Sequence, residues 1–406
     1  MANRSSALRR LPDVESFEAP PRRPGSLPHG PRAIGGPLVT PFTVMLAALS
    51  LAAAVILGIR MFYGLGAVTN INDGYPWGVW IVYDVFVGTA FACGGYAMAL
   101  LVYVFNKGEY HPLVRPALLA SLFGYTLASV SILFDLGRWW NFWHVFFPAY
   151  AQPASVMFEV ALCVTAYVLV MWIEFAPAMM DRWPGLKQKL SKLLFFFIAL
   201  GVLLPTMHQS SLGSLLLVFG YQVHPLWQSG VLLPLIYLMT SIMLGFSAVI
   251  FEATLSSVGF KRRLETPLLG KLCDVLWGML LVFIALRVAE LAWRGALPSA
   301  FVLDTQAVWF WIESVLFVVP ALLLATPASR RHPGRLFAGA VMLMLAGMLQ
   351  RVNGFLIGYM TGEGWSYFPS FPELLVTIGL IAFEILAYIV IVRRFPVLPA
   401  EPAPAH

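Results

Sequence analysis

Two carboxylates, Asp135 and Glu159, bracket the aromatic stretch DLGRWWNFWHVFFPAYAQPASVMFE, and each touches the end of a strongly apolar run. A carboxylate just inside a hydrocarbon layer is costly to keep, so it implies a use or a partner. Counting inward at ~1.5 Å per residue places Asp84, Asp135, Glu159 and His208 in the same outer third of four successive runs. Against three acids these runs offer only Arg138 near the outer end, Arg115 near the inner end and His208. At least one of the acids should therefore exchange a proton near neutral pH. That suits quinone chemistry, in which a two-electron reduction places two protons on carbonyl oxygens, delivered by nearby acids or a histidine. On this reading His208 bonds one carbonyl, while Glu159 and Asp135 supply and replenish protons. Trp139, Trp140, Asn141 and Trp143 of the connector wall a flat headgroup. The bland alternatives are a plain interfacial helix for the connector and a backbone-satisfied His208.

A second polar set, Arg287, Glu290, Glu313, Arg351 and Glu384, lies at mid-depth or outward in the later runs. Arg287 and Glu290 are three apart and share a helix face, which predicts an internal ion pair. Arg351 is expected to satisfy Glu313 or Glu384, with a register-fixing role for the set and a proton relay as the alternative. A haem held between helices needs axial ligands at matching depth. Of the seven histidines only His208 falls within a predicted helix core, so no haem is expected. Cys93, Cys163 and Cys273 are isolated, which offers neither an iron–sulfur nor a zinc ligand set.

The elements that must position these residues follow from composition. A chain of 406 residues that is 59% hydrophobic and 11% charged cannot cover a soluble globule. The fold class is therefore all-α, a polytopic membrane protein. Ten apolar segments are long enough to cross a ~30 Å core: 41–63, 77–105, 113–136, 153–176, 191–212, 229–253, 271–293, 303–326, 335–358 and 372–394. The uncharged run 193–223 is too long for one ordinary crossing, and a break is expected near His208-Gln209-Ser210-Ser211. Alternate gaps, the N-terminal arm and the RRF tail hold 21 of the 26 Lys and Arg residues, which places both termini in the cytoplasm. The net charge of +6 thus reports membrane orientation and not nucleic-acid binding. Residues 1–38 read as a disordered arm, 39–395 as the membrane domain and 396–406 as a Pro-rich cytoplasmic tail.

GYPWGVWIVYD, GTAFACGGYA, YVFNKGEYHPLVRPALLASLFGY, DLGRWWN, WIEFAPA, LLPTMHQSSLGS, YQVHPLWQS, FWIES, YFPSFPELL and FEILAYIV, spread over 65–395, resemble the NrfD/polysulfide-reductase membrane-subunit family. The likeness is strongest to its members in periplasm-facing nickel–iron hydrogenases. It implies two four-helix bundles with flanking helices, in the bacterial inner membrane, with no haem despite a "cytochrome b" label and a quinone site near the periplasmic face. It also implies a ferredoxin-like iron–sulfur subunit and hydrogenase small and large subunits as partners. By residue, the family's acid of the fourth helix falls on Glu159, its arginine at the start of the third on Arg115, and its histidine on His208. The function expected is electron transfer from hydrogen oxidation, through a partner's clusters, to menaquinone or ubiquinone, with no redox centre in this chain. Coupled proton movement would use Glu159, Asp135 and Asp84, with Arg115 and Glu174 at a cytoplasmic mouth. Another NrfD-type oxidoreductase subunit, a proton-coupled transporter and a pure anchor are the alternatives.

Overall fold

The computed structural model describes residues 31–180, 183–362 and 364–399, which contain ten helices long and apolar enough to span a membrane. They are α1 (Pro41–Tyr63), α2 (Trp80–Val104), α3 (Gly108–Asp135), α4 (Val156–Met179), α5 (Pro184–Gln222), α6 (Gly230–Gly259), α7 (Thr266–Trp293), α8 (Thr305–Leu323), α9 (Pro333–Ile357) and α10 (Phe371–Arg394). Helices α2–α5 pack as one four-helix group and α6–α9 as another, joined through α2–α6 and α5–α6 contacts. The pair α1 and α10 flanks the first group, resting on α2 and α3. Both helices of that pair begin with reciprocal hydroxyl caps, Thr40 with Thr43 and Ser370 with Glu373.

Water drives no helix association inside lipid, so close packing has to. Where α1 crosses α10, a Cβ on Gly379 would lie 2.3 Å from Ala53 Cβ. Where α2 crosses α6, a Cβ on Gly245 would lie 2.6 Å from the Cys93 carbonyl oxygen. Helix α2 is itself irregular, with wide π-type turns at Trp80–Val87 and Leu100–Val104 on either side of a tighter stretch. Hydropathy carries no trace of this irregularity.

The break expected near 208–211 is absent, because α5 stays helical from Pro184 to Phe219 and ends in a 3₁₀ turn, Gly220–Gln222. At ~1.5 Å per residue its 39 residues make a rod of roughly 58 Å. It therefore outruns the hydrocarbon and does not need to fold back into it. Ser210 and Ser211 bond the Met207 carbonyl within the helix. The carbonyls that its end leaves open, on Leu216 and Gly220, accept bonds from Gln228 Nε2 at 2.9 and 2.8 Å.

At the arginine-rich end, Arg32 pairs with Leu398 and Gly35 with Arg393, joining the segment before α1 to the one at and after the end of α10. Residues 1–30 of the expected arm and 400–406 of the tail lie outside the described residues.

Candidate functional site between the helices

A fully buried polar cluster is centred on Gln209 of α5, which is tied to three other helices. Its Nε2 donates to Thr89 Oγ1 of α2 and to Tyr125 OH of α3, both at 3.2 Å, and its Oε1 accepts from Ser241 Oγ of α6 at 2.5 Å. Ser241 in turn accepts from Arg351 Nη2 at 2.8 Å. Arg351, 0% exposed, also reaches the Gly347 carbonyl at 3.2 Å and lies 5.3 Å over the Tyr237 ring. A buried cation is thus held by hydroxyls, a carbonyl and an aromatic face.

This corrects the expectation that Arg351 satisfies Glu313 or Glu384. Glu313 accepts from Trp227 Nε1 at 2.8 Å and Asn353 Nδ2 at 2.7 Å, and Glu384 faces the bare backbone of Gly124. Sequence reasoning overlooked Gln209, Tyr125, Thr89 and Ser241 as a set, because neutral groups leave no charge signal. The available signal was the recurrence of single polar residues at one depth in four apolar helices.

His208 and Ser211 are three residues apart and share a face of α5. Ser211 Oγ donates to Glu159 Oε1 of α4 at 2.8 Å, so the carboxylate lies against the stretch of α5 that carries the histidine. Glu159 is half-buried in the first turn of its helix. His208 is 1% exposed, neither of its ring nitrogens has a partner among the described residues, and its ring lies 5.9 Å from that of Tyr125. The connector forms a 3₁₀ segment, Trp139–Phe146, against α3 and α4. Trp139 meets Trp140 edge to face at 5.7 Å, Asn141 N–H donates to the Arg138 carbonyl at 2.9 Å, and Trp143 meets Tyr150 at 5.6 Å. Trp140 is 55% exposed, which leaves a broad aromatic surface beside the Glu159 end of α4.

Asp84 and Asp135 belong to a separate node on the α10 side of the bundle. Asp84 accepts from Thr377 Oγ1 at 3.4 Å. Beside Asp135, Arg60 of α1, 1% exposed, donates Nε to the Phe134 carbonyl at 2.5 Å and Nη2 to the Leu136 carbonyl. The guanidinium therefore clasps the C-terminal carbonyls of α3, where the helix dipole favours a cation. Glu373, also overlooked, accepts from Asn70 N, Ser370 N and Tyr367 OH at 2.9, 2.7 and 2.6 Å.

Arg115 lies in the first turns of α3, twenty residues or ~30 Å from Asp135. Glu174, at the same end, occupies space left by Gly201 and borders a cavity of ≈ 40 Å³ with Tyr96, Tyr103 and Tyr167. The residues nominated from sequence thus occupy three places: Glu159 with His208, Asp84 with Asp135, and Arg115 near Glu174.

The ion pair expected between Arg287 and Glu290 is present at 2.7 Å, and Arg294 adds a second cation to Glu290. The two arginines also hold the loop after α5, through Ser229 Oγ, the Leu226 carbonyl and the Pro225 carbonyl. For haem, His208 is the one histidine enclosed in the bundle among the described residues. His111 lies near the start of α3, His144 lies on the connector, His224 in a loop and His332 caps α9. These donors do not fit a haem clasped between two helices.

Residues 67–363 match the model of the family described as "Polysulphide reductase, NrfD", and the chain belongs to that family. It is 46% identical over 375 residues to the "Probable Ni/Fe-hydrogenase 2 b-type cytochrome subunit" of Escherichia coli K12, spanning 91% of this chain and 96% of that protein. It is 26% identical to the "Menaquinone reductase, integral membrane subunit" of Nitratidesulfovibrio vulgaris, over 83% and 87% of the two chains. It is also 23% identical to the "Hdr-like menaquinol oxidoreductase integral membrane subunit" of Archaeoglobus fulgidus, over 82% and 87%. Together with the ten apolar helices this makes the chain a multi-pass integral membrane protein, of the inner membrane in bacteria.

Proposed function

We propose that this chain is the quinone-reactive membrane subunit of a periplasm-facing respiratory hydrogenase. In this role it accepts electrons from a ferredoxin-like iron–sulfur partner, which receives them from the hydrogenase small and large subunits. The observation that carries the reading is the bond from Ser211 to Glu159, three residues along α5 from the buried His208 and beside an exposed aromatic connector. The quinone, menaquinone or ubiquinone, is the substrate. Its headgroup lies against Trp139, Trp140, Asn141 and Trp143, and meets Glu159 first.

As electrons arrive, the Glu159 carboxyl gives its proton to a quinone carbonyl oxygen, and the resulting carboxylate is held by the Ser211 hydroxyl. His208, one turn deeper with its ring nitrogens open, accepts and returns the proton that resets Glu159. The relatives named for nickel–iron hydrogenase and for menaquinone reductase support the substrate and partner classes. The lysine and arginine distribution supports cytoplasmic termini, which would put this site at the periplasmic face.

The test is hydrogen-dependent quinone reduction by the complex purified through this chain, with identification of the attached iron–sulfur protein. Glu159→Gln should lower turnover by about a hundredfold or more, the scale of a lost general acid. Unchanged turnover removes Glu159 from the mechanism, and a complex that reduces no quinone rejects the reading.

A further inference from the structure

Helix α10 carries a polar stripe that the quinone site does not use. Glu373, Thr377, Glu384 and Tyr388 project within about 60° of one another at 3.6 residues per turn. They cover roughly 22 Å of a ~30 Å hydrocarbon layer. Glu373 is held by the loops at the helix start, and the other three meet a polar or bare position on a facing helix. At the arginine-rich end Tyr388 OH donates to Glu252 of α6. At mid-depth Glu384 faces Gly124 of α3, where a Cβ would stand 3.4 Å from its Oε1. Further along, Thr377 donates to Asp84, and Tyr83 lies close enough to both Asp84 and Glu384 to feel their charges. Beyond them, Asp135 ends α3 beside Arg60, within charge reach of Asp84 and Glu373.

A row of acids fixes no function by itself, but Ser131 adds an independent mark. Gly124, Ala128, Ser131 and Asp135 are spaced 4, 3 and 4 apart and so form one face of α3. A Cβ on Gly124 would meet Ala92 of α2 at 2.7 Å and Glu384 Oε1 at 3.4 Å, so this face is turned to the notch between α2 and Glu384. Ser131 is 1% exposed, and its hydroxyl has no partner among the described residues. Its neighbours Thr126 and Ser129 bond back to the carbonyls of Leu122 and Tyr125, as hydroxyls in apolar helices do. Ser131 Oγ instead stays available between Glu384 and Asp135, where a buried hydroxyl is satisfied by a mobile partner such as water.

We propose that the α3–α10 seam is a proton-conducting file, running from Glu252 and Tyr388 through Glu384, Ser131 and Asp84 to Asp135. Each step moves one proton from a carboxyl or hydroxyl oxygen to the next acceptor oxygen. The donor is refilled from behind, so nothing is oxidised or reduced along the file. Its outer end opens at the aromatic connector, and it supplies protons that quinone reduction consumes. In that destination it rests on the proposed function, while conduction itself does not.

The experiment uses the purified complex in vesicles with the electron-accepting side outward and a pH-sensitive dye trapped inside. Luminal protons lost per quinol formed are compared for the native chain, Glu384→Gln and Ser131→Ala. Glu384→Gln should reduce that ratio about tenfold or more, the scale of a removed proton carrier. Ser131→Ala, which breaks no side-chain hydrogen bond among the described residues, should reduce it less while leaving assembly intact. A Glu384→Gln complex that draws luminal protons like the native one overturns the file.

If the native complex forms no quinol, the functional reading fails and the file is tested alone. A valinomycin–potassium potential is then imposed on the same vesicles, and luminal pH is followed. Conduction lost in Glu384→Gln supports the file, and equal rates in the two proteins overturn it.

Discussion

Replacing Gln209 with leucine asks how much the central polar network contributes to holding four helices together. The side chains are close in volume, so the exchange removes bonds and opens little space. Three bonds go, to Thr89, Tyr125 and Ser241. None of the partners need be stranded. Tyr125 keeps Cys93 Sγ at 3.5 Å, Ser241 keeps the Tyr237 carbonyl at 2.6 Å, and Thr89 can turn towards its own helix backbone. Interhelical bonds in membranes average ~0.6 kcal/mol with a maximum near 1.7, so three amount to about 2 kcal/mol and at most about 5. The assay is reversible unfolding in mixed micelles, with Ser210→Ala as control, because Ser210 bonds only within its own helix, to the Met207 carbonyl. The control should change stability by less than ~0.5 kcal/mol. If Gln209→Leu is as mild as the control, the network does not hold the bundle and its conformational role is refuted.

Gly245→Val should disrupt the α2–α6 crossing, since a Cβ there would lie 2.6 Å from a backbone oxygen that cannot yield, and the yield of folded protein in detergent would collapse. Gly278→Ala, with nothing within 4 Å, should instead be neutral or stabilise by up to ~1 kcal/mol in the same unfolding assay. Glu373→Ala strands Asn70 N, Ser370 N and Tyr367 OH, at ~1–3 kcal/mol each. It should loosen the loop before α2, read as faster proteolysis there. Burial holds the His224 imidazole below its ordinary range, with Asp304 opposing. Its neutral form therefore belongs to the folded state, and its contribution to stability is lost as pH falls through the range where the unfolded histidine protonates. A melting-temperature difference between His224→Gln and the native chain that does not change from pH 7.5 to 5.5 would refute this.

The ten spans were legible because hydropathy over about twenty residues reports the thickness of the hydrocarbon layer, and the basic gaps fall between those runs. The extent of α5 was not, because the residues that let it run past the hydrocarbon belong to another segment. Gln228 closes its last carbonyls from the following loop, and no window over 193–223 contains that fact. The Arg287–Glu290 pair was readable from a spacing of three, since both partners sit on one helix. The partners of Arg351 were not, because they come from α6 and, through Ser241, from α5. Glu384 shows the same limit from the functional side. As one acid in one helix it read as half of an internal ion pair. Only the packing of α10 on α3 sets it against Gly124 and in line with Ser131, and only there does it face a route for protons in place of a counter-charge.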